Sequence, residues 1–241
     1  MKNLILTTTA LTLVAGFAFA DSHGKTIRMG TEGAYPPYNF LNDAGEVDGF
    51  ERELGDELCK RAELTCEWVT NEWDSIIPNL VSGNYDTIIA GMSITDERDE
   101  VIDFTQNYTQ PDPSSYLALS MDVDIKAGVI AAQTGTIQAS HIASTGATLV
   151  EFATPEETIA AVRNGEADAV LADKSFLKPI ATEDSSLVLI AQEELLGGGV
   201  GMGLRESDGE LRGMFDKAIQ SMKDDGSLNA LIAKWEIGVQ F

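Results

Sequence analysis

Apolar and polar positions along the chain switch between two periods, one extended and one helical. Lys25–Thr31 reads as a strand. Ala34-Tyr-Pro-Pro-Tyr38 follows as a non-helical aromatic loop, because paired prolines break both helix and ladder. Asn42-Asp-Ala-Gly45 has turn composition, after which Phe50, Leu54 and Leu58 recur at helical spacing. Glu67-Trp-Val69 resumes an extended run. Ile76, Ile77, Leu80 and Val81 mark a helix face ended by Gly83, and Thr87–Ala90 is a short apolar strand.

The second half repeats this grammar. Thr154-Pro155-Glu-Glu157 is a capping box with proline at the first helical position, Ile159, Ala160 and Val162 follow on one face, and Gly165 closes the helix before the strand Ala169–Ala172. Leu80–Ala90 aligns over Val162–Ala172 without a gap, matching Gly83 with Gly165, Asp86 with Asp168 and Ala90 with Ala172. A helix–Gly–x–x–Asp–strand unit used twice predicts two similar α/β lobes; chance recurrence of a common turn is the alternative. Ser207-x-x-Glu210 reads as a further capping box, with Leu211, Met214, Phe215, Ala218 and Met222 on one helix face. After a break at Asp225-Gly226-Ser227, Leu228, Leu231, Ile232 and Trp235 mark a last helix.

The N-terminus changes the picture of where this chain works. Lys2, an uncharged apolar run from Leu4 to Phe19 and the small-x-small Ala18-Phe19-Ala20 form the pattern of a secretory leader, predicted to be cleaved after residue 20. A membrane anchor is the other reading, but the run falls short of the ~20 residues a spanning helix needs. Acidic residues number 39 against 16 Lys and Arg, for a net charge of −23. Such a field repels nucleic acid and anionic lipid and attracts cations. It fits either a solvated acidic surface or a preference for cationic ligands. Cys59 and Cys66 form an even pair in an exported chain, which suggests a disulfide over a metal site that would need more ligands than are near.

In open α/β sheets ligands sit outside the carboxyl ends of strands, so the ends of Thr87–Ala90 and Ala169–Ala172 are the places to search. After the first comes Gly91-Met-Ser93-Ile-Thr95-Asp-Glu-Arg98. Thr95 can cap a helix there, offering backbone N–H groups, the Ser93 hydroxyl and the Arg98 guanidinium to a carboxylate. Arg98 paired with Asp96 or Asp99 on the surface is the alternative. After the second comes Asp173, which suits an ammonium group or a plain helix N-cap. Together Arg98 and Asp173 would clamp the two ends of a zwitterion. Gln133-Thr-Gly135-Thr-Ile137-Gln138 resembles a turn opening a helix whose N–H groups could meet an anion. Tyr35 and Trp73 lie off the periodic faces, as slot walls or as core, and Glu32 could face a cationic side chain.

These pieces together resemble the periplasmic polar-amino-acid-binding proteins, the solute-binding components of ABC importers. The residues that carry the resemblance are Thr31-Glu-Gly-Ala-Tyr35-Pro-Pro-Tyr-Asn, Gly49-Phe-Glu-Arg-Glu-Leu54, Trp73-Asp-Ser-Ile-Ile-Pro-Asn-Leu80, Ala90-Gly-Met-Ser-Ile-Thr95-x-x-Arg98 and Asp168-Ala-Val-Leu-Ala-Asp173. The lysine/arginine/ornithine- and histidine-binding subgroup is most similar and shares a short disulfide loop like Cys59–Cys66. The resemblance implies a two-lobed Venus-flytrap α/β fold with two mostly parallel sheets flanked by helices and a two-strand hinge. Residues 21–110 with 200–241 would form one lobe and 111–199 the inserted other. It implies no enzyme activity and no cofactor. A monomer in the periplasm would hand a free amino acid to an inner-membrane ABC permease.

Carried over, Arg98 would hold the α-carboxylate with the Ser93 and Ile137 N–H groups. Asp173 would hold the α-ammonium with the Ser93 hydroxyl and Gly91 carbonyl. Tyr35 and Trp73 would sandwich the side chain, with Glu32 and Gln138 near its distal end. Ala90 and Gly91 replace serines of that subgroup, Glu32 a shorter Asp and Ile137 a Thr, so opine, histidine or glutamine stay open beside a basic ligand, as does a periplasmic dehydratase on the same scaffold.

Overall fold

The computed structural model describes Gly24 and residues 26–241; the leader and Lys25 lie outside the described residues. The first part of the chain runs β1 (Ile27–Thr31), β2 (Ala34–Tyr35), β3 (Asn39–Leu41), β4 (Val47–Asp48), α1 (Phe50–Arg61), β5 (Cys66–Thr70), α2 (Ile76–Val81), β6 (Thr87–Ile88), α3 (Asp96–Asp99) and β7 (Asp103–Phe104). After a crossing come β8 (Ser114–Ala118), β9 (Val129–Gln133), α4 (Ile137–Ala143), β10 (Thr148–Phe152), α5 (Pro155–Asn164), β11 (Ala169–Asp173), α6 (Lys174–Glu183) and β12 (Val188–Glu194). The chain then returns through β13 (Gly203–Leu204), α7 (Gly209–Asp224) and α8 (Ser227–Lys234).

Two five-stranded sheets result, β5-β1-β6-β13-β7 and β10-β9-β11-β8-β12. In each, four strands share one direction and the fourth in order opposes them. The opposing strands, β13 and β8, are the first that the chain lays down after each crossing. Helices cover both faces of both sheets. On the first, α1, α7 and α8 bury Phe50, Leu54, Leu58, Phe215 and Ile219 on one side, and α2 buries Ile76 and Leu80 on the other. On the second, α5 and α6 cover one face and α4 the other. Phe50, Leu54 and Leu58 are all fully buried, and each such side chain contributes roughly 1.5–3 kcal/mol by leaving water.

The internal repeat has a mechanical reason. The N–H of Asp86 donates to the Arg28 carbonyl and that of Asp168 to the Val129 carbonyl, both at 2.8 Å. Their carboxylates then accept the N–H of the same two residues, at 3.1 and 2.7 Å. Each aspartate thus locks its strand beside the neighbouring parallel strand. Gly83 and Gly165, both left-handed, turn the preceding helix into that register. Asp86 is buried and also pairs with Arg28 and Arg205. Thr154 and Glu157 form the predicted capping box. Ser207 does not cap α7: its hydroxyl bonds Asp208 inside a 3₁₀ turn, and the helix starts at Gly209. Cys59 and Cys66 are joined as a disulfide between α1 and β5.

Two segments cross between the sheets side by side. Thr105 N–H donates to the Met202 carbonyl at 3.0 Å and Tyr108 N–H to the Val200 carbonyl at 2.8 Å. The approach is close enough that a Cβ on Gly199 would meet the Thr109 carbonyl oxygen at 2.5 Å, which only glycine avoids. Among the described residues no helix is long and apolar enough to cross a membrane.

Candidate functional site

The carboxyl ends of β1, β6, β9 and β11 converge on one cavity between the sheets. Glu32, Tyr35, Trp73, Ala90, Gly91, Ser93 and Arg98 line it from the first sheet's side, and Ile137, Gln138 and Asp173 from the second. All ten residues singled out in the sequence are brought together. Gln133, Thr136 and Leu171 complete the lining.

Arg98 sits in the short helix α3, which Thr95 caps by accepting the Arg98 N–H at 3.2 Å. Its guanidinium donates to the Ser93 carbonyl at 2.8 Å and, across the cleft, to the Gly135 carbonyl at 3.2 Å. It lies 5.4 Å from the Trp73 ring centre, a cation–π contact. It does not pair with Asp96 or Asp99, so the surface alternative is not what forms. Burial pushes its pKa down to about 10, with Asp173 pulling the other way.

Asp173 ends β11 at the N-cap position of α6 but its carboxylate caps nothing. It turns into the cavity, accepting from the Tyr35 hydroxyl at 2.9 Å and from the Gln138 amide at 2.8 Å. Asp112, from the crossing segment, supplies the cap by accepting the Ser175 N–H at 3.1 Å. Burial and then the Asp112 charge push Asp173 up to about 7, against the Tyr35 bond, the Arg98 charge and the Gln138 bond. The Ile137 and Gln138 N–H groups open α4 and have no intrahelical acceptor.

Tyr35 stacks on Phe176 of α6, centroids 4.4 Å apart and planes within 15°, so one ring face is already covered by the opposite lobe. Gln138 is bonded to Asp173 rather than gathered with Glu32. The amide at Glu32 is that of Gln133, 2.6 Å away. Burial lifts Glu32 to about 7, opposed by that bond and reinforced by the charges of Glu72 and Glu51. Behind the first lobe's loops, the fully buried Glu51 accepts from Gly91 N–H, Asn39 and Tyr108, and Asn39 accepts from Gly33 N–H. Burial raises the Glu51 pKa. The cavity's first-lobe loops are therefore anchored on one carboxylate that also holds the crossing segment. Phe176 and Glu51 were given no role beforehand, and Gln133 was named only as the start of the turn before α4. Among the described residues no cluster of His, Cys, Asp and Glu could hold a metal ion.

A cavity with a guanidinium, a facing carboxylate, free N–H groups and aromatic walls complements a small zwitterion. Residues 27–238 match the sequence profile of the bacterial extracellular solute-binding proteins, family 3. The chain belongs to this family. Among its relatives is the lysine/arginine/ornithine-binding periplasmic protein of Escherichia coli, 30% identical over 98% of this chain and 97% of that one. The octopine-binding periplasmic protein of Rhizobium meliloti is 30% identical over 94% of each. A crystal structure of a periplasmic His/Glu/Gln/Arg/opine family-binding protein from Silicibacter pomeroyi in complex with lysine is 73% identical, with a TM-score of 0.88. It covers 90% of this chain and 100% of that one. Family membership accords with the fold: a two-lobed α/β protein with the cavity between its lobes.

Proposed function

We propose that this protein is the periplasmic substrate-binding component of an amino-acid ABC importer, capturing a free basic L-amino acid of the lysine, arginine and ornithine class. The observation that carries the reading is a cavity shared by two sheets, with Arg98 contributed by one and Asp173 by the other. A zwitterion bridging them stabilises the closed form more than the open one, and that difference drives closure. The lobes are residues 21–110 with 200–241, and 111–199. In the site, Arg98 takes the α-carboxylate with the Ser93 and Ile137 N–H groups. Asp173 takes the α-ammonium with the Ser93 hydroxyl and the Gly91 carbonyl. Tyr35 and Trp73 flank the side chain over the small Ala90, and Glu32 meets its cationic end. Gln138 supports Asp173. The leader at residues 1–20 directs export, and the mature monomer delivers its ligand to an inner-membrane permease.

The lysine-bound relative at 73% identity supports the basic class. The octopine-binding relative supports a second reading, in which an arginine-derived opine fills the same clamp. Binding without turnover is the reading for this cavity, supported by relatives named as binding proteins. The test is a thermal-shift screen of ligand-free mature protein, refolded from denaturant, against the twenty amino acids, ornithine and octopine. Ligands in excess of their dissociation constants raise the melting temperature by mass action. Shifts with Lys, Arg or ornithine, and their recovery unchanged afterwards, support the reading; a shift with octopine alone selects the second; none with any of them rejects both.

A further inference from the structure

Gln133 closes β9 with its side chain buried, 8% exposed, at the part of the cavity held by Glu32. Its Nε2 donates to Glu32 Oε1 at 2.6 Å and to the Ala153 carbonyl at 3.0 Å. An amide nitrogen carries two hydrogens, so both are spent on protein oxygens. That fixes which way the amide faces. Its Oε1 accepts from no described donor and is the polar atom left over. Glu32 likewise gives Oε1 to Gln133 and keeps Oε2.

We infer that Gln133 is a specificity-determining residue of this cavity: by committing its amide hydrogens to Glu32 and Ala153, it makes the side-chain end an acceptor-only surface that admits cationic amino acids and disfavours glutamine and glutamate. This rests on the proposed amino-acid site with Glu32 at the side-chain end. An ammonium or guanidinium only donates and, with Glu32 ionised as it is at pH 8, meets only acceptors there. A glutamine side chain has to set its own carbonyl oxygen against the Gln133 and Glu32 oxygens or leave it unpaired, and glutamate adds like-charge repulsion. The Glu32–Gln133 bond also joins the two lobes, so its loss weakens closure for every ligand by a common factor. The ratio of two affinities removes that factor and isolates the selectivity.

The experiment is calorimetric titration of refolded mature protein with L-lysine and L-glutamine. Wild type is compared with Gln133→Met, which keeps length and loses the donor, and Gln133→Asn, which keeps the amide one methylene short. The lysine-to-glutamine preference of wild type falls by about tenfold or more in both variants, as expected for losing a charge-assisted acceptor contact. A ratio unchanged within about twofold in folded variants overturns the inference. Wild type alone gives a second measurement, L-arginine against L-citrulline, in which a urea oxygen replaces one donor nitrogen. Arginine binds at least about tenfold tighter, and near-equal affinities overturn the inference whether or not the variants fold. Wild type that binds no basic amino acid overturns the underlying site reading as well, whereas basic ligands bound with no preference over neutral analogues overturn the role of Gln133 alone.

Discussion

Replacing Asp173 by Asn separates binding from stability. The change keeps shape, leaves the Gln138 amide one oxygen to donate to, and turns the new amide hydrogens toward the Tyr35 hydroxyl, which can accept as well as donate. It removes the only negative charge proposed to meet the α-ammonium. Leaving one member of a buried ion pair unpartnered costs about 3–5 kcal/mol, which at 1.4 kcal/mol per tenfold is roughly a hundred- to several-thousandfold loss of lysine affinity. Stability of the ligand-free protein moves the other way. Folding lifts Asp173 from 3.8 to about 7, because burial and the Asp112 charge oppose its ionised form. The folded state therefore binds more protons than the unfolded state between about pH 4 and 7, and this group's contribution to stability falls as pH rises through that window. Above it, three pKa units correspond to at most about 4 kcal/mol. The neutral variant therefore gains melting temperature, by about 2–4 °C for each kcal/mol recovered in a chain of this size. Calorimetric titration with L-lysine and scanning calorimetry of the ligand-free protein, both at pH 8, read the two effects. Retention of lysine affinity within about fivefold, or a lower melting temperature of the ligand-free variant, refutes the reasoning.

Three further outcomes follow from the same geometry. Arg98→Lys loses the planar fork that donates to the Ser93 and Gly135 carbonyls and lies on Trp73, and is expected to weaken lysine binding about a hundredfold by titration. Lysine affinity of the wild type rises with pH through about 7, as Glu32 and Asp173 both give up protons to receive a cation. Glu32→Gln removes about one proton from that dependence, measured as the slope of log Kd between pH 5.5 and 8, and an unchanged slope counts against Glu32 meeting the ligand. Cys59→Ser with Cys66→Ser opens a loop with a sequence separation of only 7. It lowers stability by about 2–3 kcal/mol in denaturant melts while leaving lysine affinity within about twofold.

What the sequence made legible was what is local. Helical spacing put Phe50, Leu54 and Leu58 inside, and the matched Gly–x–x–Asp units marked the two strand ends that flank the cavity. Thr95 before Arg98 marked the helix start at the first of them but left open whether the guanidinium turns to the cavity or to the surface. What escaped depends on pairings far apart in the chain. Gln133 meets Glu32 across 101 positions, and Phe176 meets Tyr35 only because α6 swings over from the other lobe. Nothing local tells whether Asp173 caps its helix or faces the cavity; Asp112 takes over the cap from the crossing segment, and Asp173 lines the cavity. The expected box at Ser207 fails for a local reason: Arg205 and Asp208 form an ion pair three residues apart, and the intervening 3₁₀ turn starts the helix at Gly209. Gln138 was expected beside Glu32 and instead bonds Asp173, a meeting of the start of α4 with the end of β11 that spacing cannot resolve.

The two-ended clamp is the centre of this account, and lysine analogues lacking one end test it most directly. Ligand-free wild-type protein titrated with L-lysine, with cadaverine, which lacks the carboxylate, and with 6-aminohexanoate, which lacks the α-ammonium, should bind lysine alone, each analogue being at least about a hundredfold weaker because Arg98 or Asp173 stays buried without its counter-charge. Binding of either analogue as tightly as lysine would contradict it.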